Sequence, residues 1–101
     1  MDLGLRGRKA VITGSSKGLG QAIAETLASE GVDVHLVARD AKALERIATD
    51  LAKRHGVEAA FSALDLSDSA NVDRLFAQLS GPIDILVNNA GAIPGGSIDL
   101  I

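Results

Sequence analysis

A glycine-rich turn between an apolar run and an amphipathic segment restricts the fold of this 101-residue chain more than any other feature. Residues 10–12 are apolar, Thr-Gly-Ser-Ser-Lys-Gly-Leu-Gly follows at residues 13–20, and a helical pattern runs over residues 19–30. Because glycine lacks a Cβ, backbone N–H groups in such a turn can approach an anion closely. The start of the following helix adds unpaired N–H groups and the positive end of its dipole. The arrangement favours a phosphate-binding turn over the alternative, a turn with a purely structural role.

The rest of the chain alternates between short apolar runs and amphipathic helical patterns. Asp40 is expected to cap a second helix that runs to about His55, and Ser67 or Asp68 to cap a third that ends at Gly81-Pro82. We predict four strands, at residues 9–13, 33–38, 58–64 and 83–87. Strands that alternate with helices form a parallel sheet with right-handed crossovers, so the chain is predicted to adopt an α/β fold.

Apolar residues recur at helical spacing in each predicted helix, and these are expected to face the sheet. They are Leu19, Ile23 and Leu27 in the first helix, Leu44, Ile47, Ala48 and Leu51 in the second, and Val72, Leu75, Phe76 and Leu79 in the third. Gly31 and Gly56 follow the first two helices, at positions where glycine commonly ends a helix.

Composition excludes several classes of function. The net charge is −3 without a basic run and the only aromatic residues are two phenylalanines, so neither nucleic acid nor a membrane surface is an expected partner. No apolar run approaches the roughly 20 residues of a membrane span, and the absence of cysteine fits a cytoplasmic location. His35 and His55 lack partners at metal-ligand spacing, so we predict no metal site.

Arg39 follows the second predicted strand, where folds of this kind place the ribose of an adenine dinucleotide. An acidic residue there favours NAD, whereas an arginine accommodates the 2′-phosphate of NADP. Lys17, inside the glycine turn, can reach the same phosphate. The two cations therefore favour NADP(H) over NAD(H), against the alternative that Arg39 is a solvated surface charge.

Two further motifs follow the ends of predicted strands. Asp65 comes after the third strand, where its carboxylate could accept a hydrogen bond from an adenine amino group. Asn88-Asn89-Ala90-Gly91 ends the fourth strand at the edge of the sheet where ligands bind in open α/β folds. The alternative for Asp65 is a loop residue near the Ser67 cap, and the alternative for the two asparagines is an ordinary turn.

Taken in order, Thr13-Gly14-Ser-Ser-Lys-Gly18-Leu-Gly20, Asp65-Leu66 and Asn88-Asn89-Ala90-Gly91 resemble the classical short-chain dehydrogenases/reductases. The similarity covers essentially the whole chain. It implies a Rossmann-type, doubly wound parallel sheet with four strands in the order 3-2-1-4. It also implies the N-terminal, cofactor-binding part of an oxidoreductase that uses NADP(H) to interconvert a small-molecule carbonyl and an alcohol, and that forms a homo-oligomer at full length.

The resemblance also implies roles for residues at three places. The glycine turn would line the pyrophosphate and ribose, through Gly14, Ser16, Lys17, Gly18, Leu19 and Gly20. The other two motifs would flank the adenine and approach its ribose and the cofactor backbone, through Asp65 and Leu66 and through Asn89, Ala90 and Gly91. Asn88 would mainly brace the sheet, and Lys17 with Arg39 matches the NADP-preferring pattern.

The family's catalytic group is absent from these residues. It comprises a serine, a Tyr-x-x-x-Lys pair and an asparagine on a later helix, and this sequence contains no tyrosine. The fourth strand would also be an apolar edge, which natural sheets avoid. We therefore expect residues 1–101 to be part of a longer domain, or to be covered by another polypeptide, and to be inactive alone. The alternatives are a non-catalytic nucleotide-binding or regulatory module and, ranked lower, a methyltransferase.

Overall fold

The computed structural model of the protein describes residues 5–14, 18–79 and 81–89. Within these residues, strands and helices alternate as the sequence predicts. The elements are β1 (Lys9–Thr13), α1 (Gly18–Ser29), β2 (Asp33–Ala38), α2 (Ala41–His55), β3 (Ala59–Ala63), α3 (Ser69–Gln78) and β4 (Ile85–Asn88). The four strands form one parallel sheet in the order β3-β2-β1-β4, which confirms the predicted Rossmann-type topology.

β1 lies at the centre of the sheet, between β2 and β4. It pairs with β2 from Lys9↔Asp33 to Thr13↔Val37, and with β4 from Ala10↔Ile85 to Thr13↔Asn88. Because all the strands are parallel, the segments that follow them leave from the same edge. This carboxyl edge carries the glycine turn and the segments that follow β2, β3 and β4.

The sheet is covered on both faces, by α1 and α2 on one and by α3 on the other. Alternate residues of β1 belong to the two sides: Ala10 and Ile12 pack with α1 and α2, and Val11 packs with α3. Parallel strands buried on both faces need continuous apolar sequence, which explains why the interior positions of β1 and β2 are apolar, with His35 of β2 as the exception. No described helix is long and apolar enough to span a membrane.

The predicted apolar stripe of α1 is displaced by one residue. Its buried positions are Gly20, Ala24 and Ala28, whereas Leu19 is 59% exposed. Small residues on the sheet-facing side allow the helix backbone to approach β1 and β2 closely, and the larger Ile23 and Leu27 pack beside this contact. The inward orientation predicted for Leu19 is therefore wrong.

The third helix shows a similar departure. Leu75 is buried and Val72 and Leu79 pack against the core, but Phe76 is 47% exposed. The predicted inward orientation of Phe76 is wrong because four adjacent apolar positions span a wider arc than the face of α3 that contacts the sheet. The N-cap is Asp68 rather than Ser67, since the Asp68 side chain accepts a hydrogen bond from Ala70 N.

The other element ends mostly follow the predictions. Asp40 caps α2 by accepting from Ala43 N, and Gly56 ends the helix at a φ of 69°. β3 is one residue shorter at each end than predicted. β4 begins at Ile85 rather than residue 83, because Asp84 turns its side chain to accept from Lys9 N at 2.9 Å while its own N–H donates to Lys9 O.

Candidate functional site

The turn after β1 carries two glycines with left-handed backbone conformations. Gly14 has a φ of 67°, and Gly18, the first residue of α1, has a φ of 62°. Gly14 N donates to Val37 O at 2.7 Å, so the turn is fixed to the end of β2. Residues with a Cβ rarely adopt such φ angles, which explains the glycine at both positions. Ser16 and Lys17, two of the predicted ligands, lie outside the described residues.

Gly20 is required for close packing between α1, the glycine turn and the segment after β4. A Cβ at this position would lie 2.2 Å from Gly14 O and 2.9 Å from Asn89 Nδ2. Asn89 Nδ2 in turn donates to Gly14 O at 3.4 Å, which joins the segment after β4 to the turn after β1. Two of the predicted motifs therefore meet in space, and Gly20 lets them approach.

Asn88 braces the sheet beneath this contact. It is buried, and Thr13 Oγ1 donates to Asn88 Oδ1 at 3.1 Å between neighbouring strands. Thr13 was named in the glycine motif but was assigned no partner, although a threonine as the last residue of a buried apolar strand signals a polar partner there. Ala90 and Gly91, also predicted to contact a cofactor, lie outside the described residues.

Arg39 and Asp65 lie at the carboxyl ends of the neighbouring strands β2 and β3. The two strands stay paired up to this edge, where Leu64 N donates to Ala38 O at 2.9 Å. Both charged side chains are exposed. The pKa of Asp65 is lowered chiefly by the hydrogen bond from the Ser67 hydroxyl, then by the Ser67 N–H, with a smaller contribution from the charge of Arg39.

Two leucines at this edge differ in exposure: the side chain of Leu66 is buried and that of Leu19 is exposed. The Leu66 side chain is buried in the cluster beneath α3, so only its backbone is placed to flank a ligand. Leu19 instead exposes its side chain directly after Gly18, at the start of α1. An exposed leucine beside a turn that offers N–H groups gives the site an apolar contact next to a polar one.

The two histidines lie away from this edge. His35 is buried in β2, and its Nε2 is 2.7 Å from Ser62 Oγ on β3. His55, at the end of α2, is within hydrogen-bonding distance of Glu25 of α1, with 3.2 Å between Nε2 and Oε1, and Glu25 also pairs with Arg54. Both histidines thus have structural partners, and the described residues contain no group of three or more His, Cys, Asp or Glu side chains that could hold a metal.

Comparison with known proteins assigns the fold and this edge to a family. A family model described as short chain dehydrogenase matches residues 8–100, and the chain belongs to this family. It is 41% identical over 98 residues to 2,3-dihydro-2,3-dihydroxybenzoate dehydrogenase of Bacillus subtilis, which covers 94% of this chain and 37% of that enzyme. The resemblance inferred from the three motifs is confirmed.

Solved structures agree with this assignment. L-sorbose reductase from Gluconobacter frateurii, complexed with NADPH and L-sorbose, is 43% identical with a TM-score of 0.77, covering 88% of this chain and 35% of that one. A short-chain dehydrogenase from Sphingobium yanoikuyae, in complex with NADPH, is 36% identical with a TM-score of 0.77, covering 83% and 34%. The chain thus spans little more than a third of the length of these relatives.

Proposed function

We propose that these residues form the cofactor-binding part of an NADP(H)-dependent oxidoreductase that interconverts a carbonyl and an alcohol. The observation that carries the proposal is the position of Arg39, an exposed guanidinium at the carboxyl end of β2 and beside the glycine turn. In dinucleotide-binding folds the residue at this position selects between the ribose hydroxyl of NAD and the 2′-phosphate of NADP. The NADPH complexes of the two structural relatives agree with the choice of NADP(H).

The described residues fit such a cofactor. Gly14 and Gly18 adopt positive φ angles and, as glycines, place no Cβ in the turn. The first N–H groups of α1 lie at the end of this turn, where they can donate to a pyrophosphate. Asp65 supplies an acceptor for the adenine amino group, and Asn89 holds the turn in place. Ser16 and Lys17, and Ala90 and Gly91, remain predicted contacts at the two ends of the same site.

The reduced cofactor would supply a hydride to the carbonyl carbon of the substrate. The residues of this chain would bind and orient the cofactor, while proton transfer needs groups outside residues 1–101, since these contain no tyrosine for the family's Tyr-x-x-x-Lys pair. We propose a small-molecule substrate, a homo-oligomeric whole protein and a cytoplasmic location, in keeping with the family and the composition.

The test is calorimetric titration of the whole protein with NADPH and with NADH, for the wild type and for Arg39→Ala. We expect the wild type to prefer NADPH and the variant to lose about tenfold or more of that preference, the effect of one charge-assisted hydrogen bond. Arg46→Ala, which removes an exposed arginine from the middle of α2, is the matched control and should leave the ratio unchanged. Equal affinity of the wild type for NADPH and NADH would refute the preference.

A non-catalytic nucleotide-binding module is the second candidate, since the contacts that the described residues offer to a nucleotide would serve such a module equally well. Turnover by the whole protein separates the two. NADPH-linked reduction of any member of a panel of ketones and aldehydes supports the oxidoreductase, whereas NADPH binding without turnover on the entire panel supports the module.

A further inference from the structure

Ser67 holds the carboxylate of Asp65 by one of its two oxygens. The Ser67 hydroxyl donates to Asp65 Oδ1 at 2.6 Å, and the Ser67 backbone N–H donates to the same oxygen at 3.0 Å. The backbone of Asp65 is fixed as well, because its carbonyl accepts from Asn71 Nδ2 at 2.9 Å. Within the described residues the second carboxylate oxygen, Oδ2, has no hydrogen-bond partner, which leaves it available to a ligand.

Arg39 is the nearby positive charge with which the Asp65 carboxylate could form an ion pair if Ser67 did not hold it. The two side chains are exposed at the ends of adjacent strands, and the positive charge of Arg39 contributes to the lowered pKa of Asp65. Among the described residues Arg39 nevertheless forms no salt bridge. An exposed ion pair gains little in water, so two hydrogen bonds to Ser67 are sufficient to keep Asp65 from it.

We propose that Ser67 is a positioning residue that keeps Asp65 apart from Arg39, so that the carboxylate and the guanidinium each remain free for a different part of the cofactor. The inference rests on the proposed function. Oδ2 of Asp65 would accept from the exocyclic amino group of adenine, and Arg39 would bind the 2′-phosphate. Without the Ser67 hydroxyl, the two charged groups can pair with each other, and selectivity for both parts of the cofactor falls together.

The experiment compares three cofactors on the whole protein: NADPH, NADH and the hypoxanthine analogue of NADPH, in which a carbonyl oxygen replaces the amino group. Ser67→Ala is expected to lower the preference for NADPH over each of the other two cofactors by about fivefold. This is less than the full effect of losing one hydrogen bond to a charged group. Ser67→Thr keeps the hydroxyl and should retain both preferences. Ser69→Ala removes an exposed hydroxyl two residues away, in the first turn of α3, and should change neither.

A second measurement separates positioning from general support of the fold. In an Asp65→Asn background there is no carboxylate to pair with Arg39, so adding Ser67→Ala should leave the NADPH/NADH ratio unchanged. If Ser67→Ala instead weakens all three cofactors equally, or lowers the ratio as much in the Asp65→Asn background, the inference is wrong. A wild-type protein that binds none of the three refutes the proposed function itself, and the inference with it.

Discussion

At the scale of single residues, the site depends on the space that one missing Cβ leaves. Gly20 lies in the first turn of α1, where it faces the carbonyl of Gly14 and the side chain of Asn89. Both neighbours are constrained, since Gly14 is tied to β2 by its N–H and Asn89 follows a paired strand. The glycine motif therefore has a packing function in addition to any contact with a cofactor.

Gly20→Ala tests this packing function. The new Cβ would lie 2.2 Å from a backbone oxygen, which no side-chain rotation relieves, so the turn or the helix must shift. We expect the free energy of unfolding of the whole protein to fall by about 2 kcal/mol, the range of overpacked sites, despite the higher helix propensity of alanine. Dinucleotide affinity should fall as well, because the turn moves.

Chemical denaturation and cofactor titration measure both effects of Gly20→Ala. Gln21→Ala changes the exposed neighbour on the same helix and should alter stability by less than about 0.5 kcal/mol. Unchanged stability and affinity in Gly20→Ala would contradict the close approach of Gly14 and Asn89.

At the scale of elements, a chain of polar side chains on the α3 face connects two strands and a helix; its two strand residues, His35 and Ser62, are buried, and Gln78 of the helix is exposed. Ser62 Oγ on β3 donates its hydrogen to Gln78 Oε1 of α3 at 2.6 Å, so it accepts from the Nε2–H of His35 on β2. Burial lowers the pKa of His35, and the positive charge of Lys9 lowers it further. The neutral imidazole is thus the form that fits this connection.

The pH dependence of stability follows from that lowered pKa. Below the usual histidine pKa of about 6.5 the unfolded chain binds a proton that folded His35 resists, so stability is full above this pH and decreases as the pH falls. The slope contributed by His35 is at most about 1.4 kcal/mol per pH unit. The free energy of unfolding of the wild type, obtained from chemical denaturation between pH 5 and pH 7, should show this slope. His35→Gln, which retains an N–H donor for Ser62, should reduce it, and identical slopes would contradict the assignment.

At the opposite, amino edge of the sheet, two aspartate side chains join neighbouring strands by accepting hydrogen bonds from backbone N–H groups. The Asp84 side chain accepts from Lys9 N, and the Asp33 side chain accepts from Glu58 N, each at 2.9 Å. The first N–H groups of these segments are thereby satisfied before the ladder begins. The pKa of Asp84 is lowered by the Lys9 N–H and then by Arg8, so the carboxylate remains ionised.

At the scale of the whole molecule, sequence reasoning succeeded where burial is continuous. β1 and β2 begin and end where predicted because both of their faces are covered, and every position is apolar or internally paired. Helical periodicity located the helices and the inward face of α2, whose four predicted positions are all buried. It misplaced the inward face of α1, since it weights large apolar residues and overlooks the small ones, Ala24 and Ala28, that permit close approach; Leu19 was therefore predicted to be buried. Phe76 was predicted to be buried because the apolar stripe of α3 is wider than the face that contacts the sheet.

The candidate site could be predicted in part for the same reason. Strand ends are local features of sequence, and parallel topology brings them to one edge, which places Gly14, Arg39, Asp65 and Asn89 together. Partners that depend on the neighbouring strand or turn, such as Thr13 with Asn88, require the register and could not be read from spacing alone. Ser67 was considered only as a helix cap, although an Asp-x-Ser spacing is itself a signal for a side-chain turn.

The exposed surface around Phe76 bears on how this part of the fold associates with other chains. Phe76 is half-exposed on α3, and within the described residues β4 pairs with one neighbour, β1. Exposed apolar surface and an unpaired strand edge each favour association with other chains. A polypeptide of residues 1–101 is therefore expected to self-associate at concentrations where the whole protein sediments as one defined species.

Phe76→Glu should weaken that self-association about tenfold, since it removes roughly half of a phenylalanine's buried-surface contribution and places a charge in the contact. Ala77→Glu adds the same charge at the neighbouring exposed position of α3 and should have a smaller effect, because no large apolar surface is lost. Sedimentation velocity over a concentration series measures both variants against the parent polypeptide. If the parent is monomeric throughout, or if the two glutamate variants behave alike, the surface around Phe76 does not drive association.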